Sequence, residues 1–311
     1  MPELDCDLII VGGGVAGLTS GLYSCRAGLK TILLERLGPG GQTIKAERIE
    51  NFPGFPEGIS GVELGLLVQD QAMRYGLEVR LAEVNRFRRE GLSWIVETHD
   101  YELRADAVIM AGGSALRKLG VSGEERLHGA GVSYCATCDG AFFRDQVVGV
   151  VGGGDSALDE AIVLTKFASQ VIVFHRGDHL DAQRILQDRA FSSPKVVVRW
   201  NTVVNRILGE GQVEAVSTLD SASGQASRIE LSGVFIYVGL DPNTQCLRDF
   251  LPMDNAGHIP TDIRMRTAIP GLLAAGDVRQ ASASQFISAA GDGATAAIEA
   301  QRYLESREWP T

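Results

Sequence analysis

The sequence predicts an α/β protein of two Rossmann-like dinucleotide-binding domains, the second inserted into the first. Three observations carry this. A near-continuous apolar run ends in a glycine cluster at residues 12–17, the same pattern recurs at residues 152–157, and a further strand-like run leads into Gly276-Asp277-Val278 after the second copy. Self-similarity at so long a separation means two related domains rather than a solenoid, and each copy has the strand, loop and helix of a dinucleotide fold.

Residues 4–11 are apolar almost throughout, as a strand buried on both faces is. Gly12-Gly13-Gly14-Val15-Ala16-Gly17 follows, then a helix-like stretch to about residue 27 and a strand at 31–35. Gly12 permits the tight turn, Gly14 lets the backbone approach a pyrophosphate, and Gly17 lets the helix pack closely on the strand. The helix N-terminal amides then face the phosphates, and Glu35 can accept from ribose hydroxyls. Strand, loop, helix, strand and terminal acid together read as a nucleotide site rather than a plain turn.

The second copy runs through a strand at 146–151, Gly152-Gly153-Gly154-Asp155-Ser156-Ala157, a helix to about residue 167 and a strand at 171–174. Ala157 stands for the third glycine, as the fingerprint allows, and the strand ends in His175-Arg176 instead of an acid. Between the copies, 105–111 reads as a strand and 114–120 as a crossing linker. Beyond them, 233–238 is a strand, 239–243 a turn-rich return, 271–275 a strand, and a helix begins near residue 288. The expected domains are 1–114 and 242–311 for the first nucleotide site, with 115–241 inserted.

Within the insertion lies Cys135-Ala136-Thr137-Cys138-Asp139. Cysteines at this spacing can form a redox-active disulfide or half of a zinc site. Zinc needs a second ligand pair, and Cys6, Cys25 and Cys246 stand singly while the 5 histidines form no cluster. By spacing alone both readings stay open. Cys6 and Cys25 read as buried small hydrophobes, and Cys246 follows a turn.

Composition narrows the partners. A chain of 311 residues, 45% hydrophobic and 22% charged, matches a soluble globular protein of two domains. A net charge of −10, from 29 basic and 39 acidic residues, argues against nucleic acid. No apolar run approaches the ~18 residues of a membrane span, and the start lacks a basic, cleavable leader pattern. A cytoplasmic protein without a metal site is expected.

The residues resemble the low-molecular-weight thioredoxin reductases across essentially the whole chain. The resemblance rests on residues 12–17, Glu50-Asn51-Phe52-Pro53-Gly54, Ser133-Tyr134-Cys135-Ala136-Thr137-Cys138-Asp139-Gly140, residues 152–157 and Gly276-Asp277-Val278. It implies FAD on the first unit, with Gly12, Gly14, Gly17, Glu35, Gln42, Asn51 and Asp277 at the positions of family contacts and Gln285 near the flavin. It also implies that Cys138 faces the flavin, that Cys135 attacks a thioredoxin disulfide, that Asp139 moves the proton, and that the chain forms a homodimer. In that family the domains rotate, which would make 114–118 and 239–243 hinges.

The sequence departs from the family in two places. NADPH-using members carry His-Arg-Arg-x-x-x-Arg after the second unit's second strand, whereas this chain reads His175-Arg176-Gly177-Asp178-His179-Leu180-Asp181. Each lost arginine contact to a phosphate is worth about 1.5–3 kcal/mol, and Asp181 would repel the dianion. Near the flavin, Ala283-Ser284-Gln285-Phe286 replaces the family's Tyr-Arg-Gln-Ala. These changes match branches that take electrons from ferredoxin, so ferredoxin is the expected donor, docked by Arg176, Arg184, Arg189 or Lys195. An NAD(P)H-dependent thioredoxin reductase, with NADH favoured by the intact loop at 152–157, a second flavin in the degenerate site, and a non-catalytic module on the same fold are the alternatives. The terminal Trp309 reads either as a patch on its own surface or as a ring stacked near the flavin face that nicotinamide would occupy, from this chain or from a neighbouring subunit.

Overall fold

A computed structural model of the chain describes residues 4–38 and 40–309. The chain divides into two compact units, Met1–Ala115 with Asp241–Thr311, and Leu116–Leu240.

The first unit begins β1 (Leu4–Val11), α1 (Val15–Arg26), β2 (Thr31–Glu35), α2 (Gly61–Met73), β3 (Glu78–Leu81), β4 (Val84–Glu90), β5 (Ser93–Thr98) and β6 (Glu102–Met110). The chain crosses at β7 (Ser114–Leu116) into the second unit. There it forms β8 (Val132–Ser133), α3 (Ala136–Asp139), β9 (Val147–Gly152), α4 (Asp155–Leu164), β10 (Gln170–Phe174), α5 (Arg184–Ser192), β11 (Val196–Arg199), β12 (Thr202–Leu208), β13 (Ala215–Asp220), β14 (Ala226–Glu230) and β15 (Gly233–Tyr237). It returns through β16 (Leu240–Pro242), which pairs with β7, to β17 (Leu272–Ala274) and α6 (Phe286–Ser306).

The sheet of the first unit runs β3-β2-β1-β6-β5-β4, with β17 also on β6. Strands β1, β2, β3, β6 and β17 are parallel, and β4 and β5 turn back antiparallel. The apolar run of β1 has a simple cause. Leu8 and Ile10 enter the core beneath α1 and α6, while Ile9 and Val11 enter the opposite core with Trp94 and Leu272. Helices α1 and α6 touch at backbone distance: a Cβ on Gly293 would lie 2.2 Å from the Ala16 carbonyl oxygen, and the Ser20 hydroxyl donates to the Gly293 carbonyl at 3.0 Å.

The second unit has a parallel sheet, β11-β10-β9-β15-β8, and a separate antiparallel sheet, β12-β13-β14. The two parallel sheets bear out the expected fold class. Helix α6 starts at Phe286 rather than near residue 288, because Gln285 and Ser288 form a reciprocal capping box. Among the described residues, no helix is long and apolar enough to cross a membrane.

The flavin-stacking reading of Trp309 is corrected within this chain. Its ring packs 5.1 Å from that of Tyr303, with the Arg266 guanidinium 5.8 Å from its centroid. Tyr303 covers Gly271, at the start of β17, whereas the glycine cluster follows the C-terminal end of the parallel β1. The tail therefore folds onto its own unit at the opposite end of the sheet.

Candidate active site

The glycine loop after β1 takes the shape that its spacing requires. Gly12 has φ 109°, and a Cβ there would lie 2.3 Å from the Ala111 carbonyl oxygen; a Cβ on Gly17 would lie 1.8 Å from the Gly12 oxygen. At Gly14, by contrast, a Cβ would meet nothing within 4 Å. Gly14 is the N-cap of α1, and no side chain caps it. The turn at 40–41 closes beside this space, with the Gly40 N–H donating to the Gly13 carbonyl at 2.7 Å. Glu35 accepts from the N–H groups of Gly13 at 2.6 Å and Leu37 at 2.9 Å, which ties the loop to the end of β2.

The other cofactor candidates of this unit gather in two groups. Gln42 donates to the Ser114 carbonyl at 2.6 Å, and the Ser114 hydroxyl donates to Asp277 at 3.0 Å. Burial pushes the Asp277 carboxyl above the ordinary range, with the Ser114 hydroxyl opposing. Asn51 donates to Gln285 at 3.1 Å. Just before Gln285, Ala281 (φ 57°) and Ser284 (φ 49°) hold left-handed backbone that non-glycine residues enter at a cost of about 1–2 kcal/mol. Asp292 anchors the segment after β17, accepting from Gly276 N–H at 3.1 Å and from Arg279 at 2.6 and 3.0 Å. These residues fit FAD: the open, uncapped helix end suits a pyrophosphate, Glu35 a ribose, and the amide and carboxyl groups a ring edge.

The second glycine loop is equally formed. A Cβ on Gly152 would lie 2.3 Å from the Tyr237 oxygen, one on Gly153 2.1 Å from the His175 ring, and one on Gly154 would meet nothing within 4 Å. Asp155 accepts from the Gln183 backbone and side chain at 2.7 and 2.6 Å. His175 is buried edge-on to Trp200, and Arg176 is exposed. The exposed Asp178 pairs with His179 at 2.7 Å.

Cys135 and Cys138 are joined as a disulfide, Cα atoms 5.3 Å apart, on the short helix α3. Cys138 is exposed and Cys135 half-buried. The Cys138 N–H donates to Cys135 Sγ at 3.2 Å. The Ser133 hydroxyl donates to Asp139 at 2.6 Å and accepts from the Cys135 N–H at 3.1 Å, so one serine fixes both the acid and the first cysteine. On the buried side, Glu160 of α4 accepts from the Ala136 N–H at 2.8 Å, with the Tyr237 hydroxyl 3.2 Å from the same nitrogen. A cleft of about 450 Å³ is lined by Ser133 and Asp139, which flank the dithiol in sequence, and by Phe143 and Phe142, whose ring is 77% exposed.

Reading the sequence missed Ser114, Ser133, Phe142, Tyr237 and Glu160 as site residues. Glu160 carried a signal, as an acid on the helix face that buries Ala157, Ala161 and Leu164. Cys6, Cys25 and Cys246 are all half-buried, and burial pushes the thiols of Cys25 and Cys246 up, which disfavours their thiolates.

Comparison with known proteins places this geometry. The family model described as pyridine nucleotide-disulphide oxidoreductase matches residues 6–297. A thioredoxin reductase of Listeria innocua is 44% identical over 300 residues, 96% of this chain and 94% of that protein. The crystal structure of Lactococcus lactis thioredoxin reductase superposes with a TM-score of 0.95 at 42% identity, covering 97% of this chain and 99% of that one. A ferredoxin-flavin thioredoxin reductase from Clostridium acetobutylicum gives 26% identity and a TM-score of 0.54 over 98% of this chain and 100% of that one. With two glycine loops, a closed Cys-x-x-Cys disulfide and these relatives, the chain belongs to the FAD-dependent pyridine nucleotide-disulphide oxidoreductases, within the low-molecular-weight thioredoxin reductase family.

Proposed function

We propose that the protein reduces the disulfide of a thioredoxin through Cys135 and Cys138, with electrons from a nicotinamide dinucleotide. The observation that carries this is the closed Cys135–Cys138 disulfide with Asp139 held beside it by Ser133. FAD bound at the first glycine loop supplies the two-electron carrier. On reduction the S–S bond breaks and leaves a thiolate and a thiol. The Cys138 N–H favours negative charge on Cys135 Sγ, so the Cys135 thiolate attacks the partner disulfide and releases one partner thiolate. The Cys138 thiolate then displaces the second partner sulfur and restores the Cys135–Cys138 bond. Asp139 relays the proton that thiol and thiolate exchange, and the exposed Phe142 beside the cleft offers the partner an apolar contact.

The donor reading changes. Two of the cations offered as a ferredoxin dock are already engaged: Lys195 donates to the carbonyls of Thr165 and Ala168 at 2.7 and 2.8 Å, and Arg184 pairs with Asp188 at 2.8 Å. The likeness to the ferredoxin-flavin enzyme is the weaker one. The loop at 152–154, open at Gly154, favours a dinucleotide pyrophosphate instead. Gly177 and Asp181 offer nothing to a 2′-phosphate, so NADH is the preferred form. Anaerobic stopped-flow with the FAD-loaded enzyme is expected to show reduction by NADH at least ~10-fold tighter than by NADPH, the equivalent of about one phosphate contact. Flavin reduction by ferredoxin alone would reject the reading.

A homodimer is also proposed. Helix α2 turns Val62, Leu66, Leu67 and Met73 to solvent, each about half exposed, an apolar stripe of the kind that a monomer rarely leaves open. Light scattering is expected to give twice the chain mass for the native protein and the chain mass for Leu66→Glu. A native monomer would remove the proposal.

A further inference from the structure

Glu160 lies beneath the dithiol, and the chemistry above does not use it. Its carboxylate accepts from the N–H of Ala136, one of the two residues enclosed by the disulfide, at 2.8 Å. Ala136 is fully buried and Tyr237 nearly so, which shields this contact from water. Burial pushes the Glu160 carboxyl above the ordinary carboxylate range, with the Ala136 N–H and Tyr237 hydroxyl opposing. Burial, then the Glu160 charge, pushes the Tyr237 hydroxyl up in turn. The ionisable groups around the pair are Asp159 on α4, Asp139 at the end of α3, and the two cysteines once reduced. All of them are neutral or anionic. A thiolate formed on Cys135 or Cys138 therefore adds repulsion to a carboxylate that burial already disfavours, and coupled sites of this kind share a proton between them.

We propose that Glu160 is a positioning residue for the dithiol, which holds the backbone N–H of Ala136 between the two cysteines and takes up a proton when the disulfide is reduced. The step balances. Two electrons break the Cys135–Cys138 bond, one proton goes to a cysteine to leave a thiol, the other cysteine stays a thiolate, and the second proton goes to Glu160. On reoxidation, with the mixed disulfide as intermediate, Glu160 returns its proton to the thiols that leave. Tyr237 keeps the carboxyl oriented through its hydroxyl. It also ends β15 opposite Gly152, so the nucleotide loop and the dithiol turn meet at one residue.

This inference rests on the disulfide being the working redox group, and the test reads that group without any electron donor or partner protein. Holoenzyme is equilibrated in thiol–disulfide redox buffers across pH, and the reduced fraction is counted by alkylation and mass. Glu160→Gln keeps an oxygen that accepts from the Ala136 N–H but cannot be protonated. The reduction equilibrium of the native protein is expected to change with pH more steeply than that of Glu160→Gln, by about tenfold per pH unit over the range in which the proton is taken up, the slope of one proton. Tyr237→Phe is expected to shift that range while keeping the steep slope, and serves if the glutamine variant does not fold. Equal slopes for native protein and Glu160→Gln would overturn the proposal, as would a Tyr237→Phe titration identical to the native one. A dithiol that no redox buffer reduces would instead overturn the functional reading beneath it.

Discussion

Cys138→Ser is expected to abolish thioredoxin reduction, by on the order of 10³-fold or more, as removal of one member of a paired catalytic unit does. The FAD content should not change, since the glycine loop, Gln42, Asn51 and Asp277 all lie in the other unit. What the variant retains is informative. Cys135 Sγ accepts from the residue 138 backbone N–H, which serine preserves, so the Cys135 thiolate is still favoured and can still attack. With no Cys138 sulfur to displace it, the partner stays attached. A covalent complex that survives non-reducing denaturation and dissolves with a thiol reductant is the expected product, whereas Cys135→Ser should give none. Mixed disulfide from Cys135→Ser and none from Cys138→Ser would reverse the roles of the two sulfurs, which the greater exposure of Cys138 makes a real contest. Full turnover in either variant would remove the dithiol from the mechanism.

The second large effect separates folding from cofactor capture by two substitutions three residues apart. Gly17→Val places carbon 1.8 Å from the Gly12 carbonyl oxygen and 3.3 Å from Ile10. The first obstacle is backbone, so no rotamer relieves it. Helix α1 must lift from β1, and α6 holds it through the close Ala16–Gly293 contact. A loss of about 3 kcal/mol in stability is expected, as for overpacking at a site that cannot yield, with no FAD retained. Gly14→Ala is the opposite case. Gly14 has φ −71° and ψ −179°, open to any residue, and its Cβ would meet nothing within 4 Å. The thermal midpoint should stay native while FAD affinity falls by ~10-fold to 100-fold, since the methyl occupies the space that the pyrophosphate needs. Unchanged flavin affinity in Gly14→Ala would show that the cofactor does not lie on this loop.

The sequence made the nucleotide units legible because their geometry is local. Strand β2 lies where the run at 31–35 put it, and β1, α1, β9 and β10 fall within a residue or two of expectation, since a buried parallel strand and a glycine turn leave a mark that needs no partner. Helix α2 left no such mark. Its exposed Leu66 and Met73 blur the apolar stripe that would separate an inner face from an outer one. Strands β4 and β12 pair antiparallel with later segments, through runs such as Val84–Glu90 where four of seven residues are charged or polar arginine and glutamate. At the site, the cysteines and glycines were readable by spacing, but their supports were not. Ser114 joins Gln42 to Asp277 across 72 and 163 residues, and Glu160 serves a backbone N–H 24 residues earlier. For Glu160 the pattern shows an acid on the buried face of α4 but not which amide it serves. Lys195 shows the converse: read as a docking cation from charge alone, it caps the carbonyls that follow α4.

The carboxylate of Glu35 grips the glycine loop through the Gly13 N–H on one oxygen and the Leu37 N–H on the other. Its loop is thus preorganised. The conformational entropy of shaping those glycines, about 1–2 kcal/mol for each residue fixed, falls on folding and not on flavin capture. The oxygen that accepts from Leu37 also accepts from the Gly38 N–H at 3.4 Å, whereas the oxygen that accepts from Gly13 retains a lone pair for a ribose hydroxyl, so the same group can greet the cofactor without releasing the loop. Affinity for FAD then reflects the contacts made on arrival, undiminished by any search for the bound shape.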